Sequence, residues 1–83
     1  NIRSMKNAAD FDVRMKLANN GIDSEISRGD ILFKIEVPPR YDFNKTGYIY
    51  YIYDEEFKIL HKDGILIAEF KTHEQFYKLL NLK

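Results

Sequence analysis

The dipeptide Asp63-Gly64 lies between two apolar-rich runs in residues 57–70, F-K-I-L-H-K-D-G-I-L-I-A-E-F. Both positions favour the positive φ of a two-residue type I′ turn, so the stretch is predicted to be a β-hairpin. With Asp63 and Gly64 as the turn, Lys62 falls opposite Ile65, His61 opposite Leu66 and Leu60 opposite Ile67. Ile59 then meets Ala68, Lys58 meets Glu69 and Phe57 meets Phe70. One face of this hairpin holds Phe57, Ile59, Leu66, Ala68 and Phe70, and the other Leu60, Ile65 and Ile67. Neither is polar, so both call for a cover.

Upstream, Ile31, Phe33, Ile35 and Val37 alternate with Leu32, Lys34 and Glu36, the period-2 pattern of a strand over residues 31–37. Pro38-Pro39 ends it, because neither residue donates to a ladder. The run Y-I-Y-Y-I-Y reads as a strand over 47–53 by its aromatic and β-branched content. Strands over 57–62 and 65–70 complete a four-stranded set. The turn between the second and third strands decides the tyrosine faces. A two-residue Glu55-Glu56 loop puts Tyr48, Tyr50 and Ile52 with Ile59, and Ile49, Tyr51 and Tyr53 with Leu60; a three-residue loop reverses this.

Helices are expected at both ends. Asn7 reads as an N-cap with Asp10 three residues on, opening a helix over 8–19 that Asn20-Gly21 stops. Ala8, Phe11, Met15 and Ala18 form its main apolar stripe, with Val13 and Leu17 off it, and Asp10–Arg14 and Asp12–Lys16 are spaced as ion pairs. Residues 22–30 read as a connection. Thr72 is a second N-cap, with Gln75 in the capping-box position, for a last helix whose apolar side holds His73, Phe76, Tyr77, Leu79 and Leu80. The expected fold class is α+β: a four-stranded antiparallel meander flanked by an N-terminal and a C-terminal helix, α-β-β-β-β-α. Residues 1–4, ahead of Met5, read as vector-derived, and 5–83 as one domain.

Composition narrows the function classes. Eighty-three residues supply a single small core. With 45% hydrophobic residues, no apolar run of spanning length and no Cys, the chain reads as a soluble cytoplasmic protein without disulfides. Thirteen basic against thirteen acidic residues give no net charge to attract nucleic acid. Prominent Ile, Lys, Asn and Tyr point to AT-rich coding, as in a low-GC bacterium or its phage.

No catalytic constellation emerges. His61 and His73 lack companions at metal-ligand spacing, so no metal and no cofactor are expected. Glu55 and Glu56 read as solvated turn charges, and Arg28-Gly29-Asp30 as a glycine turn feeding a strand. The ending I-A-E-F-K-T-H-E-Q-F-Y-K-L-L is similar to the end of the three-strand-plus-helix DNA-binding domains of some tyrosine recombinases, over the last third of the chain only. That resemblance implies DNA reading by a basic sheet face; here the strand is tyrosine-rich and the loop acidic.

The tyrosines exceed what one thin core face requires, and Tyr suits recognition surfaces. The expected function is a non-enzymatic protein-interaction module of a phage or mobile element that binds a host protein, or a second copy of itself. Its expected contact residues are Tyr41, Phe43, Tyr48, Tyr50, Tyr51, Tyr53, Leu60 and Ile67. The alternative is a nucleic-acid-binding sheet face with Lys34, Lys45, Lys58 and Lys62 on phosphates and tyrosines as stacking platforms.

Overall fold

A computed structural model describes residues 2–37 and 47–83, with side chains from residue 11 onward. The order is α1 (Ile2–Asn19), β1 (Ser24–Ser27), β2 (Asp30–Val37), β3 (Gly47–Asp54), β4 (Ile59–Lys62), β5 (Ile65–Glu69) and α2 (His73–Leu79). The strands form one antiparallel meander, β1-β2-β3-β4-β5. The α+β class is as expected, but the sheet has five strands rather than four. The extra one, β1, comes from the stretch expected to be a connection. Arg28 and Gly29 take φ of 53° and 85°, which turns Ser27 back onto Asp30 and pairs Ile26 with Ile31. A four-residue strand with Ile26 as its one apolar residue shows no readable period, yet a short edge strand is a usual way to end a sheet.

The Asp63-Gly64 turn forms as expected, with φ of 50° and 83° and with Lys62 opposite Ile65 and His61 opposite Leu66. Beyond that the expected register is overturned by a bulge: Leu60 meets Ala68 and Ile59 meets Glu69. Ile67 is the extra residue. The physical gain is on the core side, because an unbroken ladder would turn Glu69 inward with Leu60 and Phe70 outward. The bulge exchanges them, and Phe70 packs 5.9 Å from Phe76 and 6.4 Å from Tyr53. Phe57 does not pair with Phe70; it is 65% exposed in the β3–β4 loop. Asp54 Oδ1 accepts from the N–H groups of Glu56 and Phe57, both at 3.0 Å, and holds this four-residue loop in place of the expected strand start. Within it Glu55, expected to be solvated, is buried.

Both helices contribute to one core on one side of the sheet: Val13, Leu17, Ile31, Phe33, Tyr51, Tyr53, Leu60 and Phe76. Helix α1 begins before the expected Asn7 cap and buries Val13 and Leu17 instead of the expected stripe, leaving Phe11 and Met15 exposed. Two contacts accompany this rotation. Arg14 donates to the Ser24 hydroxyl and carbonyl at 3.2 and 2.9 Å, and the Lys16 ammonium lies 5.4 Å from the Tyr77 ring centre.

Each helix ends in a Schellman motif. Gly21 at φ 78° lets Ile22 N–H reach the Leu17 carbonyl, and Asn81 at φ 57° lets Leu82 N–H reach that of Tyr77, both at 2.9 Å. Asn20 then joins the two ends: its Nδ2 donates to the Lys16 and Lys83 carbonyls, and its Oδ1 accepts from Lys83 N–H. At the start of α2, Thr72 Oγ1 accepts from Gln75 N–H at 3.4 Å, and Gln75 Oε1 accepts from Lys71 N–H at 2.7 Å. The cap is the expected one, reaching one residue further back than a standard capping box.

Candidate functional site: the open face of the sheet

Because side chains alternate along each strand, the register sorts every sheet residue onto one of two faces. The four-residue β3–β4 loop has even length, so it gives the same parity as the two-residue alternative. Ile49, Tyr51 and Tyr53 share the helix-covered face with Leu60, while Tyr48, Tyr50 and Ile52 share the opposite face with Ile59. No helix covers that second face among the described residues. Tyr48 and Tyr50 are 48% and 57% exposed, and Ile52 and Leu66 are exposed with them.

The cross-strand pairs lay this open face out in rows. One row runs Ser27, Asp30, Asp54, Ile59, Glu69, and the next Glu25, Leu32, Ile52, His61, Leu66. A third holds Lys34 and Tyr50, and Asp63 joins it by donating its N–H to the Tyr50 carbonyl at 2.8 Å and accepting Tyr50 N–H on Oδ1 at 3.2 Å. The fourth pairs Glu36 with Tyr48. The Lys34 ammonium lies 4.4 Å from the Tyr48 ring centre, a cation–π contact. An apolar band of Leu32, Ile52 and Leu66 thus lies between a row of carboxylates and a tyrosine end.

Two hollows open on it and share Ile52. One, of about 330 Å³, is lined by Asp30, Ile52, Asp54, Ile59, His61 and Gly64. The other, of about 490 Å³, lies beside the start of β1, between Asp23, Ser24 and Glu25 on one side and Lys34, Tyr50 and Ile52 on the other.

The expected contact residues are therefore divided. Tyr48 and Tyr50 are on the open face, and Ile67 is exposed at the bulge of edge strand β5. Tyr51, Tyr53 and Leu60 are buried under the helices and are corrected from contact to core residues. The Tyr53 ring stacks on Phe76 at 3.9 Å between centres, and Tyr51 stacks on Phe33 at 5.1 Å. Burial raises the hydroxyl pKa of both above the ordinary tyrosine value, Tyr53 the more strongly, with Tyr77, Glu55, Asp54 and Glu74 adding to it. Tyr41 and Phe43 lie outside the described residues. Leu32, Ile52, Ile59 and Leu66 belong to the face although they were not among the expected contact residues; the alternation that grouped Ile52 with Tyr48 and Tyr50, and Ile59 with Leu66, was the available signal.

The histidines do not converge. His61 lies in the apolar band, whereas His73 Nδ1 meets the Tyr53 hydroxyl at 2.7 Å on the far side of the sheet. Among the described residues no three His, Cys, Asp or Glu side chains come together to hold a metal ion. Nor is any helix among them long and apolar enough to cross a membrane. Of the four lysines of a phosphate-binding surface, the three described do not assemble: Lys34 faces the open side, Lys62 shares the covered face with Tyr51, and Lys58 is in the β3–β4 loop; Lys45 lies outside the described residues. The chain finds no match among protein-family models, curated proteins or solved structures.

Proposed function

We propose that this chain is a non-enzymatic interaction module that docks a protein partner on its open sheet face through Tyr48, Tyr50, Ile52 and Leu66. The observation that carries the reading is one-sided covering: among the described residues, the buried side chains of the core lie between the helices and one face, and no described element covers the opposite, apolar and tyrosine-bearing face. A contiguous apolar patch on a small domain is a standard mark of an interaction surface, and Tyr binds well because a large amphipathic ring costs little rotamer entropy. The prominence of Ile, Lys, Asn and Tyr supports a phage or mobile-element source, and with it a host protein as partner. Nucleic-acid binding is disfavoured by the carboxylates that line the face, since they repel phosphate.

The test is capture of partners from a low-GC bacterial lysate with wild-type and Tyr50→Ala baits of equal thermal stability. A protein held by the wild type and released by the variant supports the reading. An identical set on both baits removes the open face from consideration.

A further inference from the structure

Resting on that reading of the open face, we infer that its partner is cationic: a protein segment presenting Lys or Arg beside apolar side chains. The whole chain is electrically balanced, thirteen against thirteen, but this face is not. Register and pairing place Glu25, Asp30, Glu36, Asp54, Asp63 and Glu69 on it against one lysine, Lys34, among the described residues. Lys34 is drawn to the Tyr48 ring rather than into the carboxylate row.

Asp30 and Asp54 stand directly opposite one another. Like charges in that position destabilise an antiparallel pair. The hollow beside them has Ile52 and Ile59 as apolar walls, so a Lys or Arg side chain can lay its methylenes on the isoleucines and its charged head between the carboxylates. The second hollow sets Asp23 and Glu25 beside Ile52 and Tyr50, with Lys34 also on its wall but its ammonium held over the Tyr48 ring, and the Tyr50 ring offers a partner cation the kind of contact that Lys34 makes with Tyr48. Two copies meeting through this face would oppose carboxylates to carboxylates, and a phosphate backbone would meet the same repulsion. A cationic segment is the occupant that charge and shape both fit.

The test is selection from a random-sequence peptide library at low salt on the wild-type domain, with counter-selection on Tyr50→Ala. The expected Tyr50-dependent peptides carry net positive charge with interspersed apolar residues. Asp30→Asn should weaken the best of them about threefold to fivefold, the scale of a partly exposed ion pair, while leaving the domain's melting temperature unchanged or higher. Tyr50-dependent peptides that are neutral or acidic would overturn the inference and leave the docking face standing. Absence of any Tyr50-dependent peptide would overturn both. A Tyr50-dependent dimer in sedimentation, or Tyr50-dependent binding of a thymidine oligonucleotide, would also overturn the cationic partner and name a different occupant.

Discussion

The Tyr53 hydroxyl and His73 Nδ1 lie 2.7 Å apart, which joins the central strand to the first turn of α2 inside the aromatic core. The contact requires an unprotonated Nδ1 when Tyr53 donates. Burial, with Lys58 nearby, lowers the His73 pKa below its ordinary 6.5, against smaller opposing effects of Glu74 and Asp12. Folded His73 therefore binds its proton less readily than the unfolded chain does. Its contribution to stability is complete above pH 6.5, declines as pH falls below that value and is lost once pH drops through the folded pKa. The melting temperature should drop between pH 7.5 and 5.5, and His73→Phe should flatten that part of the profile. The same variant should cost about 1 to 3 kcal/mol at neutral pH, because it leaves the buried Tyr53 hydroxyl without its partner. A variant profile parallel to the wild type would show that His73 is not the titrating group.

Gly64→Val is expected to destabilise by about 1 to 3 kcal/mol, since a β-branched residue is strained at φ 83°. Gly47 is the control, because an added Cβ meets nothing within 4 Å at either glycine and Gly47 lacks the positive φ. Gly47→Ala should change stability by no more than about 0.5 kcal/mol. Denaturant titration of the two variants reads the turn conformation, with no clash at the added Cβ in either. Equal effects would contradict it.

Phe76 is fully buried against Tyr53, Phe33 and Phe70, and Phe57 is mostly exposed. Phe76→Ala should cost about 3 to 5 kcal/mol, enough to unfold a domain of this size. Phe57→Ala should cost less than about 0.5 kcal/mol. A large loss from Phe57→Ala would instead favour the unbroken hairpin register that pairs it with Phe70.

Asn20→Ala removes the side chain that bonds both to the Lys16 carbonyl and to the Lys83 backbone. A loss of about 1 to 2 kcal/mol is expected, with hydrogen exchange accelerated first at residues 80–83. Uniform acceleration across both helices would show that Asn20 does not act as a local tie.

A chelator should leave thermal unfolding unchanged, given that no metal-ligating cluster forms among the described residues. Because structural metal binding is coupled to folding, a chelator-induced fall in melting temperature would expose a site that this geometry lacks.

Local chemistry was legible wherever a few adjacent residues decide a backbone conformation. Asp63-Gly64 specified its turn, Gly21 the end of α1 and Thr72 the start of α2, since positive φ and an orphaned N–H are satisfied within one turn of chain. The alternation of β2 and β3 likewise reduced the tyrosines to two sets, one of which had to face the core. The bulge was within reach of the same reasoning: an unbroken ladder sends Glu69 inward and Phe70 outward, an arrangement that burial costs disfavour.

Other features were decided only across space. Both stripes of α1 are apolar, and Val13 and Leu17 prevailed over Phe11 and Met15 when Arg14 met Ser24 and Lys16 met Tyr77. The pairing of β1 depends on an edge that β2 offers and that the short run Ser-Glu-Ile-Ser does not announce. Nothing in the order of elements says that both helices share one side of the sheet, because each face of the hairpin is apolar enough to have been covered. The sequence alone thus determined the turn at Asp63-Gly64, the stop at Gly21, the cap at Thr72 and which residues of β2 and β3 alternate together. Tertiary packing decided which apolar surfaces meet, and so which pair of tyrosines, Tyr48 and Tyr50, stayed outside the core.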